Sequence, residues 1–303
     1  MHFRDEDFFS KAREGKLEFD KPIATLTWFQ VGGNAKIFFC PDNIQALSEF
    51  ISEKPKDLPV FVIGAGSNII VRDGGFDGII IKLSKNFSKI NFVDEDKIEV
   101  GASCLVKTLA MHCLEKSIGG LEFLFTIPAT VGGAVFMNAG SYGSEIKDIL
   151  EWVEVIDDKG NILKINSDDL NMTYRSSGMN KNFIIVKACF KGLKEEKSKI
   201  FDRMDQFSKA RMASQPTRGR TGGSTFKNPS NDKKAWELID ESGCRSWSEG
   251  KAIVSEKHCN FLINTSDCKA FELENLGERI RKAVKQKTGI NLEWEIKIIG
   301  KQI

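Results

Sequence analysis

The sequence predicts an α+β protein of two or three domains, and three observations carry that reading. The chain has 303 residues, more than one ordinary hydrophobic core takes in. Helix-like and strand-like segments are mixed without the regular βαβ alternation of a doubly wound sheet. Apolar residues make up 41% and charged residues 28%, the balance of a globular chain, which excludes disordered and fibrous classes.

Taken in order, Ile23 to Cys40 reads as short strands about a Gly32-Gly33-Asn34 turn. In Asp42 to Ser52, the residues Ile44, Leu47 and Ile51 recur at helical spacing. Pro59 to Ile63 reads as a buried strand, Gly64 to Asn68 as a tight loop, and Ile69 to Val71 and Gly78 to Leu83 as strands. Lys97 to Gly101 is a further strand. Ser103 to Lys116 is helical, with Leu105, Leu109 and Cys113 on one face and Ser103 as N-cap. Trp152 to Ile156 and Ile162 to Ile165 pair across the turn at Asp157 to Asn161, and Phe183 to Phe190 is another strand.

A charged helix, Glu195 to Ser214, marks a shift in composition, and a domain boundary falls just before it. Beyond it come a Gly-rich loop at Arg218 to Gly223, a helix at Lys233 to Glu241 and strands near Ala252 and Phe261. A helix at Phe271 to Lys287, stopped by Gly289, and a final strand at Leu292 to Ile299 complete the chain. The expected domains are 1–84, 85–193 and 194–303.

Charge excludes several functions. The 44 basic and 42 acidic residues leave a formal net charge of +2 without any long block of one sign, so neither nucleic acid nor a membrane surface is an expected partner. Met1 to Glu18 is mixed in charge and reads as neither signal peptide nor anchor. Seven cysteines, an odd number with no C-x-x-C pair, indicate reduced thiols in a cytoplasmic protein. The three histidines stand far apart in sequence, so no metal centre or His-driven triad is expected.

Two glycine-bearing segments carry chemical content. In Gly64-Ala65-Gly66-Ser67-Asn68 the alternate glycines allow positive φ and can turn successive amides toward an anion. A Rossmann loop would need a third small residue and then a helix, whereas Ile69 and a β-branched run follow here. The segment is therefore a strand-loop-strand phosphate cradle or, read alone, a plain hairpin turn. The second segment, Ile127 to Gly140, is so rich in small residues that it suits neither ordinary helix nor strand. It makes sense where backbone lies against a flat ligand; a Gly-rich loop packed under another element is the duller alternative.

This pair of segments resembles the FAD-binding fold of the vanillyl-alcohol oxidase (PCMH) type, two α+β subdomains followed by an α+β substrate-binding domain. Three further motifs resemble the UDP-N-acetylenolpyruvoylglucosamine reductase (MurB) family, in that family's order. They are Tyr174-Arg175-Ser176, the Gly222-to-Pro229 run GGSTFKNP, and the Leu292-to-Gly300 run LEWEIKIIG. The likeness spans Thr25 to Gly300. No tyrosine follows Arg175, which matches the family's second type, lacking the tyrosine-bearing lid loop.

The resemblance implies FAD held by Gly64, Ala65, Gly66, Ser67 and Asn68, by Ile127, Pro128, Thr130, Gly132, Gly133, Asn138, Ala139 and Gly140, and by Ile185. It implies NADPH as hydride donor, a UDP-sugar bearing an enolpyruvyl ether as substrate, and a monomer. Substrate contacts fall to Tyr174, Lys227, Asn228, His258 and Asn260; for His258 a structural role is as natural. Catalysis falls to Arg175, Ser224 and Glu295. Hydride addition to the methylene carbon puts negative charge on the neighbouring carbon and its carboxylate, so a cation and a proton donor are wanted there. Arg175 is a permanent planar cation, Ser224 delivers the proton, and Glu295 helps most if protonated, since an ionised neighbour would repel that charge. Read singly, these are a surface arginine, a turn hydroxyl and a solvent-facing carboxylate. Another FAD-linked oxidase of the same fold is the competing activity.

Four positions depart from the family pattern. Thr126 and Ala129 stand where glycine is common and must avoid positive φ; Trp294 replaces a frequent proline and Lys297 a frequent arginine.

Overall fold

A computed structural model describes residues 14–230 and 232–303 of the chain. The chain forms two compact units, each assembled from separated stretches: one from residues up to Phe19, Ile37–Ala65 and Gly78–Lys209, the other from Asp20–Lys36, Gly66–Asp77 and Ala210–Ile303.

The first unit has two cores. One gathers Ile37, Phe39, Leu47, Phe50, Ile79 and Ile81. It lies beneath a four-stranded sheet in the order Gly15–Pro22, Asn34–Pro41, Phe76–Ile81 and Val60–Val62. The last two run parallel, Val60 opposite Ile79, and the Ile44–Glu53 helix buries Leu47, Phe50 and Ile51 after Asn43 accepts from the Ala46 amide as N-cap. The second core sits on a five-stranded antiparallel sheet ordered Ile162–Asn166, Leu150–Ile156, Ile184–Lys191, Lys97–Gly101 and Ile90–Phe92. The hairpin expected across Asp157 to Asn161 is present, Ile156 facing Ile162.

The second unit packs Phe29, Ile70, Phe226, Leu262, Leu273, Leu276, Ile280 and Leu292 together. Its helices are Ala235–Glu241 and Ala270–Thr288, and its three-stranded sheet runs Ser248–Glu249, Ala252–Val254, Leu262–Asn264. Gly289 closes the long helix at φ 75°, as its position after a periodic run foretold. All seven cysteines are free thiols, six of them buried; burial pushes the Cys104, Cys189, Cys244 and Cys259 thiols up to about 11 and Cys113 to about 12.

Four sequence expectations are corrected. Ser103 caps nothing: its hydroxyl donates to the Ser84 carbonyl, and the helix begins at Val106 after Leu105. Pro59 to Ile63 is only half-buried along Val60–Val62. The small-residue stretch does contain a helix, Val131–Phe136, because Thr130 Oγ1 accepts from the Gly133 amide and starts the turn. The terminal strand shrinks to Lys297–Ile299, parallel to Ile69–Val71; the segment before it is held instead by a bridge between Trp294 and Phe226. Among the described residues no helix is long and apolar enough to cross a membrane.

Candidate active site

Within the first unit Gly64, the first residue of one glycine-bearing segment, meets Thr130 of the other. A Cβ on Gly64 would lie 2.5 Å from Thr130 Oγ1, so only glycine allows that approach. The amides of Val131 and Gly132 donate to the carbonyls of Cys104 and Ala102, which ties the second segment to the sheet end. Gly132 backs onto Ile185, whose carbonyl a Cβ there would meet at 3.7 Å. Ile185 is buried, and the atom nearest that Cβ would be the Ala102 Cβ at 3.1 Å.

Asn138, at φ 42° and fully buried, turns the chain after the short helix. Its carboxamide donates to Glu145 Oε2 at 2.7 Å and to the Thr173 carbonyl at 2.9 Å, and accepts from the Lys147 amide at 2.9 Å. Both donor hydrogens are engaged with protein, so what Asn138 offers a ligand is backbone. The bond to Thr173 fixes the neighbouring turn. There Thr173 and Ser176 exchange both backbone hydrogen bonds, and Arg175 occupies the left-handed region at φ 57°. Such a conformation costs a non-glycine residue of order 1 kcal/mol or more. The guanidinium lies over the Tyr174 ring, 4.8 Å from its centre, and Nη2 donates to the Gly140 carbonyl at 3.3 Å. Arg175, Tyr174 and Gly140 are thus brought together.

In the second unit Ser224 follows Gly222 and Gly223. A Cβ on Gly222 would strike the Phe29 ring at 2.3 Å, and Gly223 has φ 74°. Ser224 pairs with Phe261, the Thr225 amide donates to the Asn260 carbonyl at 2.7 Å, and the Glu295 amide donates to the Thr225 carbonyl at 2.9 Å. The backbone therefore sets Ser224 and Glu295 on adjoining segments despite their distance in sequence. Glu295 does not belong to an alternating strand; the ring of its neighbour Trp294 lies 4.9 Å from that of Phe226, tilted by 50°, and donates to Glu278. Asn68 of the phosphate loop joins the same group, since Nδ2 donates to the Glu295 carbonyl at 3.2 Å and the Asn68 carbonyl accepts from the Lys297 amide.

The remaining substrate candidates are more occupied than their sequence suggested. Asn228 Oδ1 accepts the Ala235 amide and starts the following helix. Lys227 Nζ lies 3.5 Å from Glu293. Asn260 holds Phe226 with both ends of its carboxamide. His258 Nδ1 takes the Asn260 amide and its ring lies 4.8 Å from that of Phe261; burial holds its pKa below the ordinary value, with Arg245 repelling the charged form as well. A hollow of about 530 Å³ beside Asp20, Asp73 and Asp77 contains none of these residues. Two of its carboxylates are already engaged: Asp73 takes the Ala270 and Phe271 amides, and Asp77 pairs with Lys301.

Comparison with known proteins gives these residues a family. Residues 215–299 match the model for the UDP-N-acetylenolpyruvoylglucosamine reductase C-terminal domain, and residues 35–166 match an FAD binding domain. The UDP-N-acetylenolpyruvoylglucosamine reductase of Rickettsia conorii is 49% identical over 288 residues, 95% of this chain and 97% of that protein. This chain belongs to the UDP-N-acetylenolpyruvoylglucosamine reductase family. The relative from Rickettsia canadensis is 47% identical over 96% of this chain and 98% of its own length. The crystal structure of the MurB reductase from Thermus caldophilus matches with a TM-score of 0.81 at 31% identity, over 95% of this chain and 99% of that one. The fold is accordingly the α+β FAD-binding architecture of the vanillyl-alcohol oxidase type with a MurB C-terminal domain.

The residues present suit the FAD of a MurB fold. Among the described residues, the amides of Gly64, Ala65, Gly66 and Asn68 donate to no protein acceptor, and Gly66 turns at φ 70°. Four amides left over in one loop is the donor set a diphosphate takes up. Two of the departures from the MurB pattern, Thr126 and Ala129, lie at the start of the 127–140 segment. Neither Thr126 nor Ala129 has positive φ, and Thr126 turns its hydroxyl down onto the Phe123 carbonyl and Ser141.

Sequence reasoning missed Glu145, which orients Asn138, and the Glu278 and Gly277 pair that seats Trp294. The one signal for the latter was a tryptophan in place of the family's proline, beside a helix glycine.

Proposed function

We propose that this chain is the FAD-dependent reductase that uses NADPH to convert UDP-N-acetylenolpyruvoylglucosamine into UDP-N-acetylmuramate, a precursor of peptidoglycan. The observation that carries the reading is the hydrogen-bonded junction of two motif segments, Thr225 accepting from Glu295. It supports a proton donor and a carboxyl acting on one substrate group.

Residues of the 64–68 and 127–140 segments would hold FAD, which would supply the hydride for the substrate's methylene carbon. The protein's own task is the charge that results. Arg175 takes the enolpyruvyl carboxylate, its guanidinium already oriented by Tyr174 and Gly140. Ser224 gives its hydroxyl proton to the carbon beside that carboxylate, forming the C–H bond and leaving an alkoxide that Lys227 offsets. The transfer runs downhill because an enolate carbon is a stronger base than an alkoxide. Glu295 flanks the same carboxylate, and Tyr174, Lys227, Asn228 and His258 hold the UDP-sugar. The protein acts in the cytoplasm as a monomer, without nucleic acid.

The test is a titration of the yellow protein under anaerobic conditions. NADPH bleaches the flavin, and the enolpyruvyl sugar nucleotide restores its colour. Ser224→Ala keeps the bleaching and blocks the recovery. Rapid recovery with oxygen and none with the sugar nucleotide would sink the reading and favour an oxidase.

A further inference from the structure

We infer that Asn260 is a positioning residue for Ser224, acting through the backbone of Thr225 and Phe226 and not by touching the UDP-sugar. The inference rests on the reading of Ser224 as proton donor and names what holds it in place.

Asn260 is 3% exposed, and its side chain crosses 34 residues of sequence to reach the backbone of one residue: Oδ1 accepts from the Phe226 amide at 2.9 Å and Nδ2 donates to the Phe226 carbonyl at 2.8 Å. Its own carbonyl accepts from the Thr225 amide at 2.7 Å, and the next residue, Phe261, pairs with Ser224. Three hydrogen bonds from one asparagine thus fix the two residues that follow the serine. On the other side of the serine lie Gly222 and Gly223, the latter at φ 74° with nothing within 4 Å of where a Cβ would be. That side is conformationally permissive. On its C-terminal side the serine is held through Thr225 and Phe226, by Asn260 together with the Glu295 amide, which donates to the Thr225 carbonyl.

Residue type supports the assignment. The N–H and C=O of Phe226 present a donor and an acceptor to the same side chain, and a carboxamide carries the acceptor and the donor that match them. An aspartate would accept from the Phe226 amide and face the carbonyl with a second acceptor. The Asn260 backbone amide donates to His258 Nδ1 at 3.3 Å, which disfavours a proton on that nitrogen.

The experiment compares wild-type holoenzyme with Asn260→Ala, Asn260→Asp and Ser224→Ala. Each is followed through reduction by NADPH, reoxidation by the enolpyruvyl substrate, calorimetric binding of the product UDP-N-acetylmuramate, and amide exchange at Phe226. A misplaced donor slows reoxidation on the order of 10²-fold, with NADPH reduction and nucleotide affinity unchanged and a larger solvent deuterium isotope effect on reoxidation. In both Asn260 variants the Phe226 amide exchanges faster. A weakened nucleotide affinity at unchanged reoxidation would make Asn260 a substrate contact and overturn the proposal. So would parallel loss of both half-reactions in Asn260→Asp, the variant that keeps the bond to the Phe226 amide. Normal reoxidation by Ser224→Ala would instead bring down the proton-donor reading, and the proposal with it; a dead Ser224→Ala beside a fully active Asn260→Ala refutes the anchor alone.

Discussion

Gly64→Ala tests whether two segments far apart in sequence depend on one bare backbone position. The new Cβ would lie 2.5 Å from Thr130 Oγ1 but 3.6 Å and 3.7 Å from the Thr130 Cβ and Cγ2. The conflict is therefore with one oxygen, and Gly64 does not need positive φ. Forcing the methyl into this packing costs about 1–3 kcal/mol. Thr130→Ala removes the oxygen at a price of its own, since Oγ1 caps the Val131–Phe136 helix through the Gly133 amide at 3.3 Å; that loss is about 1 kcal/mol. In the double variant the methyl meets only carbon at ordinary contact distance. Its destabilisation falls short of the sum of the two singles by at least about 0.5 kcal/mol, the signature of residues in contact. Urea unfolding of the four proteins without cofactor measures the cycle, and fluorescence titration with FAD shows Gly64→Ala binding more weakly. Strict additivity, or a Gly64→Ala protein as stable as the parent, would refute the reasoning.

Arg175→Gly separates strain from chemistry: relief of the φ 57° backbone leaves stability unchanged or raises it by up to about 1 kcal/mol, while turnover falls on the order of 10²–10³. A destabilised variant would contradict the strain. His258 has a folded pKa below its unfolded one, burial being the main cause. Its neutral form therefore contributes fully above the unfolded pKa of about 6.5, and that contribution is lost as pH falls from there toward the lower folded value. His258→Gln flattens that acid limb of a stability-against-pH profile; an unchanged limb would assign it to other groups. Gly277→Ala would place a Cβ 2.1 Å from Trp294 Cη2, in the middle of a rigid ring. The helix there packs tightly, so the change costs about 1–3 kcal/mol and slows reoxidation by moving the neighbour of Glu295; thermal melting and stopped-flow kinetics read the two effects.

Much of the site was legible because backbone demands leave marks on residue type. Gly66 at φ 70°, Gly223 at φ 74° and Gly289 at φ 75° are positions where a side chain is strained, and each was visible as a glycine ending or interrupting a pattern. The order of motifs named Arg175, Ser224 and Glu295. Less was legible where a polar side chain had several possible partners. Asn138 reads as a flavin contact and spends its carboxamide on Glu145, Thr173 and Lys147; Asn260 reads as a substrate contact and holds Phe226.

By itself the sequence determined the α+β class, the free buried thiols and the glycine positions of the 64–68 loop, because these depend on local conformation and on the residue itself. Tertiary structure alone decided that Gly66–Asp77 packs into the same unit as Ala210–Ile303, that Asn68 bonds the Glu295 carbonyl, and that Ser103 serves Ser84 and caps no helix. A sequence lists donors and acceptors. Which of them meet depends on long-range packing, and burial then makes every unmet one costly.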